Sequence, residues 1–505
     1  MQMSIDELFA LYGEIENEFP VDNWRVNGIA VWPVIRLRMG MNANTPNVSF
    51  KKTKSYRWIN IMKIISKVIV DEVMLSMRGK YAACVPSDIL MLGDTCDRNV
   101  KLPNGELYNH NLDPLKNVFN NQGISVMNFE LIGHASSQLL KKTNSYVVDK
   151  ADIWTKVTNK IGIKNKGSLK CELDNYEKFL KKISKRGINI AGLTKENIIK
   201  IVLYLSNMSA FFERKIKVIT PKIVIYTDWY SPVKMALALA AHRLNIPVVE
   251  VQHGVAAGNG RHPSYYNWSR IPVGGFAIMP DYMWVWDEDD YKAMEPWAKE
   301  NLRPFIGGHP MNLIWSDPES VLSSFYQTKY DKEYGHAKPT ILMTLQWGEP
   351  YAQWIIDFIN QHDEFIWLIR LHPVVDKYEK DFIEQLQDKC NIHKNSVGIF
   401  PLEILLKNVD IHITLHSSVV LDAEPFACPS IVMHPEAKEM YSKQIAGNLV
   451  YYADNAEDLQ ARMNDLLAQR NRRVANQDIQ KQYKVGCDAM KKIMDIIDNS
   501  KPCWE

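Results

Sequence analysis

Cysteine is scarce and scattered: seven residues, at 84, 96, 171, 390, 428, 487 and 503, with no CxxC pair and no metal-ligand spacing. An odd, dispersed set excludes a disulfide framework or a zinc cage and reads as the reduced thiols of a cytosolic protein. An excess of one charge sign is lacking too, since 60 Lys and Arg stand against 58 Asp and Glu. The basic blocks also lack interleaved aromatics at a recognisable motif, so nucleic acid is not an expected partner. No run approaches the roughly 18 uncharged apolar residues of a membrane-spanning helix; the longest candidate, 201–212, is too short. The opening stretch, MQMSIDELFALYGEIENEF, reads as an acidic amphipathic helix without the basic and apolar regions of a signal peptide. The expectation is a cytoplasmic protein. Walker loops, GxGxxG and HExxH are absent as well.

What is present is ordinary globular material. The chain has 505 residues, 46% apolar and 23% charged, enough for two or three domains with large cores. Charge is unevenly spread. Residues 51–80 carry eight Lys and Arg against two acids, and 141–186 carry thirteen against five. The first block has helix-spaced apolar residues. It reads as a core-packed helix with a solvated basic face, or as a peripheral contact with the anionic inner membrane. The segment NWRVNGIAVWPVIRLRM, with Trp24, Arg25, Trp32, Arg36 and Arg38, reads as helix packing with exposed basic residues.

Short β-branched runs alternate with helical patterns, which implies right-handed crossovers and parallel sheets. In the first three hundred residues the runs are DILML (88–92), GISVMNF (123–129), KIVIY (222–226) and IPVVEVQ. The helix SPVKMALALAAHRLN joins the last two. The pattern repeats in PTILMTL, EFIWLIRL, GIFP, VDIHITL and CPSIVMH. The fold class is therefore α/β, with two Rossmann-like doubly wound domains facing a central cleft. The expected division is an acceptor-binding domain over 1–305, a nucleotide-sugar-binding domain over 306–478, and a C-terminal helix over 479–505 that returns to the first. The junction falls at 302–315, LRPFIGGHPMNLIW, rich in Gly and Pro as linkers are.

The loops after the strands carry the chemistry. Arg370-Leu371-His372-Pro373 directly follows FIWLI, placing a fixed cation and an imidazole at a strand end, with Pro tolerated at the next helix start. A phosphate oxygen can accept from both and from helix N–H groups. An isolated His-Pro pair would be only a turn cap, but it has company. VDIHITL ends in His416, Ser417 and Ser418, whose hydroxyls are helix caps or phosphate ligands. Asp422 and Glu424 follow, within reach of a ribose diol, and Gln346 after ILMTL lines the same edge. In the first domain KIVIY leads to Asp228, and the next strand to His253 in a Gln-His-Gly turn with a Gly-rich loop behind it. A carboxylate and an imidazole at neighbouring strand ends suit a base or nucleophile. Asp228 fits equally well as a helix N-cap. Asp287-Glu288-Asp289-Asp290 opens a helix, where acids belong, and is read as a cap and not a metal site.

The order QHG, Pro280-Asp281, GGHP (307–310), RLHP and HSSxxxDAE resembles that of bacterial surface-polysaccharide glycosyltransferases of GT-B architecture. The nearest look-alikes use CMP-sugars. They are the CMP-Kdo transferases of lipopolysaccharide and capsule biosynthesis, and the sialyl- and polysialyltransferases with HP and Ser-Ser motifs. The teichoic-acid glycerophosphotransferases are similar as well. The resemblance implies donor-phosphate contacts for His372, Ser417 and Ser418, a base or nucleophile at Asp228, and catalytic involvement of His253. The chain departs from the sialyltransferase pattern in lacking the acidic pair plus glycine before the HP motif, which counts against sialic acid itself as the donor.

The expected reaction is transfer of a sugar from a nucleotide-sugar donor to a glycan or lipid-linked glycan acceptor, with no cofactor and no essential metal. Arg370, His372 and the 416–418 loop would neutralise the departing phosphate. Asp228 or His253 would deprotonate the acceptor, or Asp228 would attack the anomeric carbon. A basic cleft favours CMP-activated Kdo or sialic-type donors over UDP-hexoses. The alternatives are a UDP- or GDP-sugar transferase, a polyol-phosphate transferase, a non-catalytic scaffold and a sugar epimerase.

Overall fold

The computed structural model describes residues 3–43, 83–98, 100–102, 105–131, 145–161, 169–254, 256–258, 262–317, 320–335, 338–372, 375–394, 397–469 and 475–499. The basic block 51–80, with its proposed membrane face, lies outside them. The chain divides into two compact units. One comprises Met1–Thr95, Lys116–Ile306 and Lys491–Glu505; the other comprises Cys96–Leu115 and Gly307–Met490. A short stretch early in the sequence thus belongs to the second unit.

The large sheet of the first unit contains β1 (Ile89–Asp94), β2 (Val126–Leu131), β3 (Tyr146–Val147), β4 (Ile223–Tyr226), β5 (Val248–Val251), β6 (Tyr282–Val285) and β7 (Arg303–Ile306). Its order is β7-β6-β5-β4-β1-β2-β3, and every pairing is parallel. This is the doubly wound arrangement: the order reverses beside β1, and the crevice opens at the C-terminal ends of β1 and β4. β4 and β5 are buried at every position, as a parallel sheet covered on both faces requires. The helix Pro232–Arg243 joins them. Proline at its start and an alanine-rich body let it lie close, with Val233 to Ala241 all buried. Lys234 is fully enclosed within that run.

The second unit repeats the topology. Its strands are β8 (Thr340–Thr344), β9 (Ile366–Arg370), β10 (Ile392–His393), β11 (Ile411–Thr414), β12 (Ser430–Val432) and β13 (Val450–Tyr452), in the order β10-β9-β8-β11-β12-β13. All neighbours are parallel. Alternate side chains feed two cores: Ile341, Met343, Trp367 and Ile369 on one face, Leu342 and Leu368 on the other. The switch point lies between β8 and β11. The final helix, Ala475–Asn499, passes close to the segment after β7: a Cβ on Gly486 would sit 2.9 Å from Leu313 Cδ2.

Three local expectations fail. GIFP is not a strand: Val397–Ile399 is a 3-10 turn, and the strand of that region is Ile392–His393. Four residues of the apparent linker, Arg303–Ile306, instead form an edge strand, where Pro304 is tolerated. The basic residues near Trp32 are not all exposed either. Arg36 is fully buried, 3.6 Å from Glu16, and its guanidinium lies over the Tyr12 and Trp268 rings.

Candidate functional site

At the switch point of the second unit, Gln346 and His416 each stand two residues past a strand end. Gln346 Oε1 accepts the His416 backbone N–H at 3.1 Å, and Gln346 Nε2 lies 2.9 Å from His416 Nδ1. The Tyr441 hydroxyl donates to the carbonyls of His416 and Ser417, at 3.2 and 2.8 Å. Burial lowers the proton affinity of the His416 ring, and the His434 ring, 4.7 Å away, lowers it further against the pull of Glu349 and Glu436. One ligand atom from each of His416, His434 and Glu436 falls within 4.8 Å of the others. Among the described residues this is the set that could hold a cation. Deeper in β11, His412 bridges Thr344 Oγ1 at 2.8 Å and Ser430 Oγ at 2.9 Å, and burial lowers its pKa to about 3.

β9 supplies the cation. Arg370 donates from Nη1 to the Phe400 carbonyl at 2.7 Å. Burial presses its pKa below the usual guanidinium range, against an opposing pull from Glu403. The His372 backbone N–H donates to Glu379 Oε1 at 2.6 Å. Glu379 and Asp376 form a capping box at the start of helix Lys377–Gln385, and Asp376 also accepts the Gly348 N–H. The loops after β8 and β9 are thereby tied together. Trp347, between Gln346 and Gly348, is 59% exposed.

The Ser417–Glu424 stretch is more divided. Ser418 caps the short helix Val419–Ala423 by position, without a side-chain bond, whereas Ser417 Oγ accepts the Val419 N–H at 3.4 Å. Asp422 turns inward, and burial, helped by Glu403, raises its pKa to about 8. Its Oδ1 is 3.5 Å from His309 Nε2. Glu424 is exposed at the start of the following 3-10 turn. Pro373 lies outside the described residues.

The corresponding edge of the first unit is built from carboxylates. Lys234 Nζ bonds both Asp94, at the end of β1, and Asp228, after β4, and lies 3.2 Å from Thr227 Oγ1. Lys234 has no exposed side-chain surface, while Asp94 and Asp228 keep 26% and 22%. Burial would discharge the ammonium, but the two carboxylates outweigh it and hold its pKa above the ordinary lysine range. Asp228 has a left-handed backbone, φ 42°, and the N-cap of the following helix is Ser231. The strain directs Asp228 at Lys234 instead of at the helix end. Next to it, Glu250 in β5 accepts the Trp229 N–H at 3.0 Å and the Tyr265 hydroxyl at 2.6 Å. Burial dominates, and its pKa rises to about 8 despite those bonds. His253 Nε2 lies 3.2 Å from the Tyr230 hydroxyl. Behind it, Gln252 and Gly258 both donate to the buried Asp290, and a Cβ on Gly258 would meet the Asp289 carbonyl carbon at 2.4 Å. Asp287 caps its helix by accepting the Asp290 N–H at 2.8 Å.

The predicted residues therefore fall into two groups. Gln346, Arg370, His372, His416, Ser417 and Ser418 share the C-terminal edge of the second sheet, with Asp422 beneath the loop and Glu424 turned out. Asp228 and His253 share the edge of the first. Sequence reading missed Asp94, Lys234, Glu250, His309, Glu403 and His434. Two of these had a signal: a lone lysine inside an otherwise apolar helix, and a second histidine at a strand end in CPSIVMH.

No protein-family model and no curated protein matches the chain. Similar solved structures include UDP-GlcNAc 2-epimerase of Neisseria meningitidis bound to UDP-GlcNAc, 12% identical, covering 81% of this chain and 99% of that one, TM-score 0.49. The UDP-GlcNAc 2-epimerase of Methanocaldococcus jannaschii is 13% identical over 81% of this chain and 99% of that one, TM-score 0.47. A glycotransferase of kitacinnamycin is 10% identical over 81% and 99%, TM-score 0.44.

Proposed function

We propose that the protein is a nucleotide-sugar-dependent glycosyltransferase of GT-B type, with the nucleotide on the second unit and the glycan acceptor on the first. The observation that carries this reading is the edge at β8, β9 and β11. There a doubly wound sheet presents a Gln346–His416 clamp beside Arg370 and His372. Ligands of such sheets bind outside the strand C-termini at the switch point. A guanidinium and imidazoles at that place suit a phosphate. In transfer, the acceptor hydroxyl attacks the anomeric carbon, the bond from that carbon to the donor phosphate oxygen breaks, and the nucleotide departs. Arg370 and His372 stabilise the charge on the leaving phosphate in place of a metal. His253 or Asp228 takes the hydroxyl proton. Lys234 Nζ, bonded to the Asp228 carboxyl, holds that group in place for either role.

The donor is proposed to be a CMP-activated ulosonic acid of the Kdo or sialic type, whose own carboxylate gains from the cationic edge. The acceptor is a bacterial surface glycan, free or lipid-linked, met in the cytoplasm at the inner membrane. Thermal denaturation with CMP, CDP, UDP and GDP, in chelator, tests the reading, because a ligand bound only by the folded state raises the midpoint. Stabilisation by CMP that is lost in His372→Ala supports the CMP-sugar donor, whereas stabilisation by UDP or GDP alone discards it. No shift with any nucleotide removes the reading altogether. Incubation with donor alone separates transfer from epimerisation, since an epimerase converts the donor without an acceptor.

A further inference from the structure

Residues 96–115 follow β1 in the sequence yet belong to the second unit. Tyr108 anchors this excursion in an apolar cluster with Met311, Trp315, Tyr326 and Phe400. The turn after it is held tightly. Arg98 Nη1 donates to the Leu107 carbonyl at 2.9 Å and to Asp113 at 2.8 Å, and Asn109 Oδ1 accepts the N–H groups of Asn111 and Leu112. His110 Nδ1 is 2.8 Å from the Asp97 carbonyl. A carbonyl only accepts, so Nδ1 carries a proton, and Nε2 donates to an anionic ligand when the ring is protonated on both nitrogens.

The His110 ring stacks on His309, with centroids 6.2 Å apart and planes 5° from parallel. The Met311 N–H donates to His309 Nδ1 at 3.2 Å, which directs the His309 Nε2 proton towards Asp422. Glu403 lies within electrostatic reach of His110, Arg370 and Asp422. Hydrogen-bonding demand around this group is unmet. Both ends of the Asn111 carboxamide and Asn312 Nδ2 are buried without a hydrogen-bond partner among the described residues. Of the five donors of Arg370, the Phe400 carbonyl takes one, and no other described residue takes another. Buried polar groups ordinarily find partners. Orphaned amide atoms at Asn111 and Asn312, next in sequence to His110 and Met311, together with an Arg370 guanidinium that bonds a single carbonyl, point to a bound polar group that completes the set.

We infer that His110 is a ligand of the nucleotide's phosphate, acting with Arg370, and that the excursion 96–115 exists to deliver it. This rests on the nucleotide reading above. Burial supports it by keeping the cluster nearly neutral. Asp422, at about 8, holds its proton at neutral pH and can donate to a phosphate oxygen. His309, at about 3, is uncharged. Glu403, whose proton affinity burial also raises, is the internal counter-charge that an arriving phosphate replaces beside His110 and Arg370.

The test is calorimetric titration of the full chain with CMP, UDP and inorganic pyrophosphate, in wild type, His110→Ala, His110→Gln and Arg370→Ala. Loss of a charge-assisted hydrogen bond predicts that His110→Ala weakens binding about tenfold or more. Glutamine, whose amide can still donate, should recover part of it and decides the matter if alanine unfolds the turn. Wild-type affinity in both His110 variants, with Arg370→Ala impaired, overturns the inference and leaves the nucleotide reading standing. His110-dependent binding of pyrophosphate without binding of either nucleotide overturns the nucleotide reading and, with it, the inference as stated, leaving His110 in an anion site of another kind. Absence of binding by any of the three overturns both.

Discussion

The two large sheets have the same strand order and the same kind of switch point, yet their C-terminal edges are made of opposite chemistry. In the first unit Asp94 and Asp228 are pinned by a buried lysine, with Glu250 beside them. In the second, Gln346 and His416 hold each other through neutral hydrogen bonds beside the guanidinium of Arg370, and the carboxylates of the β9 loop, Asp376 and Glu379, are taken up by backbone N–H groups. Carboxylates accept from hydroxyls and repel phosphate, whereas a guanidinium does the reverse. Topology thus decides where a ligand can sit, and the last one or two residues of each strand decide which ligand it is. A sheet order alone would have made the two units equivalent.

The comparison breaks most sharply at Lys234. Lys234→Met leaves two carboxylates facing a buried gap, and removing one partner of a buried pair costs about 3–5 kcal/mol. The denaturation midpoint should fall accordingly, and the triple change with Asp94→Asn and Asp228→Asn should regain much of it. An unchanged midpoint would mean that the pair does not organise the first edge. Arg370→Met should do the opposite. Its stability changes little, because one backbone hydrogen bond is lost with the desolvation of a guanidinium, while nucleotide affinity drops about tenfold to a hundredfold. Equal losses of stability in the two variants would mean that the two edges do not differ in this way.

The pH dependence sharpens the contrast through single residues. The folded-state pKa of Glu250 is raised to about 8. Its contribution is complete below the unfolded carboxylate value of about 4 and is lost as pH rises towards 8. Glu250→Gln should flatten stability over that window. The His412 pKa is depressed to about 3. Its contribution is present above the unfolded value of about 6.5 and is lost as pH falls towards 3. His412→Gln should therefore flatten the acid limb and leave the alkaline side alone. Melting curves from pH 3 to 9 would show whether each slope follows its own residue. The smallest effect belongs to Trp347: alanine there should shift stability by no more than about 0.5 kcal/mol, since the ring is mostly in solvent.

Much of the architecture was legible. Runs such as KIVIY and VDIHITL are β-branched, short and separated by helix-length segments, and they became buried parallel strands as that pattern requires. Arg303–Ile306 was not, because an edge strand containing proline has the composition of a linker. GIFP was misread because apolar residues at a turn mimic a strand when only four are seen. Arg36 looked like a surface cation, and only the approach of Glu16, Tyr12 and Trp268 from remote parts of the chain made burial possible.

By itself, the sequence determined which residues stand at the strand ends, since alternation and run length set where each strand stops and which side chain follows. Arg370, His372, His416, Asp228 and His253 were all readable on that ground. Only the tertiary structure decided their partners. Asp228, with a left-handed backbone, shares Lys234 of the following helix with Asp94 of another strand. His110 joins His309 and Glu403 across some two hundred to three hundred positions of sequence. Local pattern carries the periodicity of hydrophobic burial, but the pairing of charges and orphaned polar groups is set by distances in space that no spacing along the chain encodes.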